Sequence, residues 1–482
     1  ARNAMDEADV IVANHDLVLS DLSLGGGAVL PAPDKTIYVF DEGHHLADKA
    51  LNHFRLDMGI RSQRQWLKQL EKALEQFITA AGIPHSMMHS LREVPAQIQE
   101  LSQNISLIWP LVMDMIGDQD RLRFEFGRTP ETLRGLLTNL KGPLQPLLLC
   151  LDKLNDALQK SLDPKEESEF GRDIAESWQA PMGMMFARAE QMSEALSWLS
   201  AEEAEGQLPI ARWLSKTPFG EDWDIVMSAS PIAVADQLRK NLWYRCYGAV
   251  VTSATLTALN SFNNLRWESG LPDWANYQRV ASPFNYPELG EIQAVQLKSD
   301  PKSEKFQDDV QDWLKENINL EVGTLVLFSS RLQLEATRDY FLRDWYDQLL
   351  CQGFLPKAEI VRRHKAKIDD GKGSIIFGLA SFAEGIDLPG DYVTHVVIAK
   401  IPFAVPNDPI QAATSEWLES NGRNPFMELT LPAASIRLIQ ACGRLIRKED
   451  DRGRISILDK RLLSHRYGKL LLDSLPPFKR IP

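Results

Sequence analysis

The sequence lacks the features that would define several common protein classes. Its four cysteines, Cys150, Cys246, Cys351 and Cys442, stand about ninety or more residues apart, with no C-x-x-C pair among them. That spacing supports neither a zinc site nor an iron–sulfur site and fits free thiols in a reducing compartment. No apolar run approaches the roughly 20 residues that span a bilayer. No signal-peptide pattern is present, so an intracellular protein is expected. Net positive charge is also missing: the formal charge is −13. This argues against general basic adhesion, but a local basic channel still binds phosphates on an acidic protein. There are no repeats of 20–50 residues. The first residue is Ala1 rather than Met, and "ARNAMDEADVIVANH" reads as mid-domain sequence, so residues upstream of it are expected.

What is present is ordinary globular composition, 44% hydrophobic and 25% charged over 482 residues. That length predicts two to four domains. Short β-rich runs occur at 9–15 ("DVIVANH") and 36–42 ("TIYVFDE"). From about 61 to 204 the texture becomes helical: Trp66, Leu70, Leu74 and Phe77 recur at helical spacing, as do Met185, Met192, Leu196 and Leu199. β-rich runs return at 224–230 ("DIVMSAS") and 248–255 ("GAVVTSAT"). Beyond "ASPFNYPE", strand-like runs at 323–330, 373–380, 394–400 and 454–459 alternate with helical stretches, which implies βαβ units and a parallel sheet. From Phe426 to Pro482 the chain carries 12 Lys and Arg against 6 Asp and Glu, a local charge of +6.

Asp41 and Glu42 end a buried-strand pattern and are followed by Gly43, His44 and His45. Ligands of open parallel sheets bind beyond the carboxyl ends of strands. There one carboxylate suits Mg²⁺ beside nucleotide phosphates and the other suits activation of water. The same four letters fit an acidic helix start equally well. A zinc site is the weaker third reading, because "EGHH" is not H-E-x-x-H. Ser253 and Thr255, in "VVTSATL", offer hydroxyls at a second strand end to Asp41 or His44, or form simple turn bonds. In "SFAEGIDLPG", Gly385 allows close backbone approach, and Glu384 and Asp387 offer acceptors. In "LIQACGRLIRKEDDRG", Gln440, Arg444 and Arg447 are spaced to share one helical face, a phosphate clamp or a basic surface helix.

Taken in order, D-E-x-H, S-A-T, S-F-A-E-G-I-D and Q-x-x-G-R-x-x-R resemble superfamily 2 helicases. The wording of "DEGHHLADKA", "VTSATLTALNSF", "SFAEGIDLPGD" and "DKRLLSHRYGKLLLDSLPPF" is similar to a bacterial branch of the XPD-like iron–sulfur helicases. The resemblance implies an α/β protein with two RecA-like parallel-sheet motor domains and an inserted α-helical Arch. Residues 1–55 and 205–285 would form an incomplete first motor, 56–204 the Arch and 286–482 the second motor. It also implies that Asp41 binds Mg²⁺–ATP and Glu42 activates water. His44, Ser253 and Thr255 would couple nucleotide state to DNA grip, and Gly385 and Asp387 would line the interdomain cleft. Gln440, Arg444 and Arg447 would reach the γ-phosphate. The implied activity is 5′-to-3′ movement along single-stranded DNA, unwinding forks, displacement loops and RNA–DNA hybrids in repair and replication. A monomer in the bacterial cytoplasm at the nucleoid, without membrane attachment, is expected.

Two family features are missing. No G-x-x-x-x-G-K-S/T loop occurs. The nearest, "GKGS" at 371–374, has Ala366 where the first glycine belongs and precedes a strand instead of following one. The family's 4Fe–4S cysteines are also absent. The expectation is that both lie upstream and that these 482 residues alone are inactive. The alternatives are a non-catalytic nucleic-acid-binding paralogue and, less well supported, a metal-dependent nuclease using Asp41, Glu42 and the histidines.

Overall fold

The computed structural model describes residues 8–163, 165–166, 168–202, 208–379, 382, 384–404 and 408–482. Three sheets organise them. The first is a parallel pair, Ile37–Phe40 beside Gly248–Val251, joined in register from Ile37 opposite Gly248 to Phe40 opposite Val251. About two hundred residues separate its strands in sequence, as two parallel strands with an insertion between them require. Tyr38 and Phe40 point into a core with Leu46, Trp243 and Leu19, whereas Ile37 and Val39 are 62% and 65% exposed. The expected strand at 9–15 is not formed. Asn14 instead accepts a bond from Leu17 N–H (2.8 Å) and caps the helix His15–Ser23. Val10 and Val12 lie open to solvent, with no strand beside them among the described residues.

The inserted unit is built on four long helices, Ile60–Ala81, Met88–Ile116, Lys141–Lys160 and Arg172–Ser200. The apolar spacing seen in the sequence is their packing face: Trp66, Leu70, Leu74 and Phe77 are buried, as are Met192, Leu196 and Leu199. The unit is not purely helical. An antiparallel sheet in the order Leu56–Gly59, Asp222–Pro231, Ile210–Phe219, Arg121–Arg123 closes it. The run 224–230, which the expected bounds would give to the first motor, belongs to this sheet. The reason is alternation. Ile225, Met227 and Ala229, with Leu214 and Met58, point into the helical core, a burial that a place beside the Ile37–Phe40 strand would forfeit.

Residues 290–481 form a seven-stranded sheet. Its order is Lys479–Ile481, Gly290–Ala294, Gly453–Ile457, His395–Ile398, Gly323–Phe328, Ser374–Leu379, Leu349–Cys351, and every neighbouring pair is parallel. Both faces are covered: Leu325 and Leu327 enter one core, Val326 and Phe328 the other. The strand-like runs expected at 323–330, 373–380, 394–400 and 454–459 are four of its strands. This is the α/β architecture anticipated from the sequence. No helix among the described residues is long and apolar enough to cross a membrane.

The buried histidines of this sheet make its stability depend on pH. His395 is 4% exposed, pairs with Ser456 Oγ (3.0 Å) and has its pKa pushed down to about 4 by burial, with Arg454 adding repulsion. His364, fully buried against Ser374 and the Tyr392 carbonyl, is lowered in the same direction. Unfolding releases His395 to its ordinary value near 6.5, so the unfolded chain takes up the proton first as pH falls. Stability is therefore full above pH 6.5 and declines down to about 4, with His395 alone accounting for about 3 kcal/mol. Thermal melts by circular dichroism should lose several degrees between pH 7.5 and 5, and His395→Gln should flatten that slope while lowering the melting temperature at pH 7.5.

Candidate functional site

The two parallel strands of the first sheet end at the same level, and backbone bonds continue the pairing past them. Thr252 N–H donates to the Phe40 carbonyl and Gly43 N–H to the Thr252 carbonyl, both at 2.9 Å. Glycine is needed at 43: a Cβ there would lie 2.3 Å from Val251 Cγ1. Between them Glu42 takes the left-handed conformation (φ 48°, ψ 42°), which costs a non-glycine residue roughly 1 kcal/mol. That turn presents both carboxylates to solvent. Asp41 Oδ1 accepts the Glu42 N–H at 3.0 Å, leaving its other oxygen for a cation. A single exposed carboxylate at a strand end fits a hydrated Mg²⁺ accompanied by phosphate, which also brings ligands of its own.

Behind the carboxylates the polar bonds form a directed series. Gln440 Nε2 donates to His44 Nε2 (2.9 Å), His44 Nδ1 meets Ser253 Oγ (2.7 Å), and Ser253 Oγ donates to Glu42 Oε2 (2.9 Å). With Gln440 as donor, His44 must be neutral with its proton on Nδ1; this tautomer follows from the bond partners. Burial pushes the His44 pKa down to about 4. The neighbouring His45 adds to the shift and Glu42 opposes it. Thr255 Oγ1 lies 3.4 Å from the same Nδ1 and 3.5 Å from Gln440 Nε2. The hydroxyls thus serve Glu42 and His44 rather than Asp41. Gln440 comes from the helix Leu431–Cys442 of the seven-stranded unit, so the series crosses from one half of the molecule to the other.

Gln440, Arg444 and Arg447 do not share a helical face, because the helix stops at Cys442 and the two arginines follow in a turn. They still converge. Arg444 Nη1 and Arg447 Nη2 both donate to the Ile386 carbonyl, at 3.0 and 3.2 Å, and neither is ion-paired with Asp41 or Glu42. Ile386 sits between Gly385 (φ +69°) and the exposed Asp387, in the loop whose Glu384 carbonyl accepts from Lys357. Ser381 and Ala383 of that motif lie outside the described residues.

Two groups escaped the sequence reading. Asp451, 3% exposed, accepts from Arg447 N–H (2.6 Å), Lys448 N–H (2.9 Å) and Gly390 N–H (2.9 Å), and so ties the arginine turn to the Gly385 loop. A carboxylate soon after an arginine turn was the available signal, masked by the acidic run "KEDD". The other group is a cationic patch beyond the strand ends His395–Ile398 and Gly453–Ile457. Lys400 and Lys460 reach the Pro301 and Lys298 carbonyls, and Arg461 pairs with the fully buried Asp459 (2.6 Å). Burial, then repulsion from Arg461, lowers the Lys400 pKa. Only Lys460 and Arg461 fall in the basic stretch seen in the sequence.

The cysteines do not fit an iron–sulfur cluster. Cys150, Cys351 and Cys442 are buried in three separate apolar cores, and burial pushes their thiols up to about 11, 12 and 12. Cys246 packs beside a fourth core. No group of three or more His, Cys, Asp or Glu among the described residues is arranged to hold a metal ion.

Because burial holds His44 neutral, its imidazole should titrate near pH 4 rather than 6.5. Histidine-selective NMR should show the Nδ1–H tautomer throughout pH 6–8, and the Gln440→Ala variant should change the His44 Nε2 shift without charging the ring.

Residues 316–478 match the model of the Helicase C-terminal domain family. The chain is 36% identical over its whole length to the ATP-dependent DNA helicase DinG of Photobacterium profundum, covering 70% of that protein. It is 33% identical to the DinG of Escherichia coli K12, with 99% of this chain and 67% of the relative aligned. Among solved structures, an XPD helicase superposes with a TM-score of 0.56, covering all of this chain and 74% of that one at 14% identity, a likeness of fold. Identity at that level across the whole chain means that the chain belongs to the DinG family of DNA helicases.

Proposed function

We propose that the chain works as an ATP-dependent DNA helicase moving 5′ to 3′ on single-stranded DNA, in repair and replication at the bacterial nucleoid. The observation that carries this reading is the series Gln440–His44–Ser253–Glu42, because it joins the water-activating carboxylate of one half to the arginine-bearing element of the other. Asp41 binds Mg²⁺–ATP, which when bound supplies the phosphates. Glu42 orients and deprotonates the attacking water. Gln440 senses the separation of the halves, and His44, Ser253 and Thr255 pass that geometry to Glu42. Arg444 and Arg447, now held on the Ile386 carbonyl, exchange that neutral acceptor for phosphate oxygens when the cleft closes. This exchange favours the charged partner in a site with less water. Gly385 and Asp387 line the cleft from the same loop. Residues 1–55 with 232–285, 56–231, and 286–482 serve as first motor, Arch and second motor. Setting the Arch limit at 231 instead of the expected 204 keeps the antiparallel sheet with the helical core it covers.

Single-stranded DNA lies over the strand-end cations Lys400, Lys460 and Arg461 of the second motor, beneath the Arch. If these bind phosphates, affinity falls steeply with salt as counterions are released. Fluorescence anisotropy on a labelled oligonucleotide should give a log–log salt slope of several units, reduced by about 1 in Lys400→Ala. A salt-independent affinity argues against the patch.

The catalytic test separates what these residues do from what they lack. Asp41, Glu42 and the arginines handle metal, water and developing charge. None supplies the ring of backbone N–H groups and the lysine that hold β- and γ-phosphates. The 482 residues alone should therefore show no DNA-stimulated ATP turnover above that of Glu42→Gln. Joined to a P-loop segment from a relative, they should turn over ATP, and Arg447→Ala should reduce the rate by about 100-fold or more while sparing nucleotide-free DNA binding. An unchanged rate in Arg447→Ala removes that residue from the charge clamp.

A further inference from the structure

A turn of the first unit reaches into the seven-stranded unit. Ala258 and Ser261 close a two-residue hairpin through paired backbone bonds of 3.0 and 2.9 Å. Its two central residues, Leu259 (φ 50°) and Asn260 (φ 63°), both take left-handed φ values. Tight hairpins of this kind favour glycine or asparagine at such places. Leucine is a poor choice on local grounds, because its Cβ crowds the backbone there. What holds it lies beyond the turn: the side chain packs against the core that contains Leu438, Leu471 and Phe478 of the seven-stranded unit.

Polar bonds fix the turn at two further points. Leu259 N–H donates to Ser435 Oγ (3.2 Å), Ser435 Oγ lies 2.9 Å from Ser474 Oγ, and Ser474 Oγ donates to the Leu471 carbonyl (2.7 Å). Ser474 gives its one proton to Leu471, so Ser435 donates to Ser474 and keeps its lone pairs for Leu259. Both serines are buried. A buried hydroxyl relay of the seven-stranded unit thus begins at a backbone N–H of the first unit. Asn260 Oδ1 accepts from Arg279 Nη1 (2.7 Å), which turns the amide nitrogen toward the Asp473 carbonyl (2.9 Å). Ser435 belongs to the helix Leu431–Cys442, and Asp473 and Ser474 belong to the helix Arg466–Ser474. Attachment to two helices fixes direction as well as position.

The first of these helices also carries Gln440, five residues beyond Ser435. That separation is roughly 7.5 Å along the helix axis. On the other side, Ser253 and Thr255 precede Leu259 by only a few residues. The turn and the Gln440–His44 bond therefore join the same two pieces of chain at neighbouring places. We propose that Leu259 and Asn260 are positioning residues: they pin the helix Leu431–Cys442 against the first unit and so set the distance at which Gln440 meets His44. This role rests on the series Gln440–His44–Ser253–Glu42 linking the two halves. With the pin seated, a rotation of about 10° around it moves Gln440 by roughly 1.3 Å, enough to break the bond without parting the halves. With the pin withdrawn, the helix slides and Gln440 loses its register with His44.

The test uses the whole chain and reads position without ATP turnover. Glycine accepts φ 50° more readily than leucine, so Leu259→Gly relieves the turn while removing the side chain that docks it. Ser435→Ala removes the acceptor of the Leu259 N–H. Histidine-selective NMR should shift the His44 Nε2 signal of either variant toward its position in Gln440→Ala, with the circular dichroism spectrum unchanged. Leu259→Met, which keeps an apolar side chain of similar volume, should restore the wild-type signal. Small-angle X-ray scattering should give a larger radius of gyration for Leu259→Gly combined with Ser435→Ala, and the wild-type radius for Gln440→Ala, because the turn holds the halves whereas the Gln440 bond depends on where they sit. If Leu259→Gly does not fold, Asn260→Gly takes its place with the same expected shift, since it suits φ 63° and deletes only the side-chain bonds to Asp473 and Arg279. A wild-type His44 signal in both single variants overturns the pin, and so does a wild-type radius in the double variant. An unchanged His44 signal in Gln440→Ala removes the series instead, and the radius of the double variant then decides the pin alone.

Discussion

The parallel pairing of Ile37–Phe40 with Gly248–Val251 is the constraint on which the rest of the site depends. It is costly to form, because a loop of about two hundred residues must be closed before its four pairs contribute. The chain meets that cost by filling the loop with a unit that has its own apolar core, so the intervening residues are ordered by their own packing. Once paired, the strands end at one level. Gly43 and Thr252 then bond to each other, and Glu42 is turned out beside Ser253. Each later feature inherits this registration. A slip of one residue would exchange the buried Tyr38 and Phe40 for the exposed Ile37 and Val39 and would separate Glu42 from Ser253.

His44 extends the constraint across the molecule. A charged imidazole at this position would donate from both nitrogens, which would set it against the Gln440 amide and tie it to Glu42. Burial keeps the ring neutral and so fixes the direction of every bond from Gln440 to Glu42. Neutral bonds at 2.7–2.9 Å weaken steeply as their angle closes toward about 120°. The series is therefore sensitive to how the two halves are placed.

Much of this was legible in the sequence, because it is carried by local chemistry. The carboxylates after an apolar run, the hydroxyls after a second run and the four strands of the large sheet each follow from alternation or from strand-end residue types. What stayed hidden is non-local. The run 224–230 has the same alternation whether it pairs with Leu56–Gly59 or with Ile37–Phe40, and only the helical core beneath it decides. "DVIVANH" has the composition of a strand, but Asn14 caps a helix there and no strand lies alongside. Arg444 and Arg447 fit a helical spacing, yet a turn delivers them to Ile386, and Asp451 sets that turn from a run that reads as solvated charge.

Contacts that reach the seven-stranded unit differ in their physics: His44 of the first unit meets Gln440, whereas Glu416, on the helix Pro409–Ser420, meets the Arg123 guanidinium and Phe126 N–H of the inserted unit. The bonds through His44 are neutral, half-buried and directional, so they respond to small displacements. The Glu416 contact pairs a partly exposed guanidinium with a carboxylate and adds a backbone N–H. Coulomb attraction falls only inversely with distance before screening, so such a pair tolerates sliding and re-forms after separation. The inserted unit is joined to the first unit through single short connections on each side and meets the seven-stranded unit at Glu416. A tolerant joint at that place persists through small changes of spacing that would break the bonds through His44.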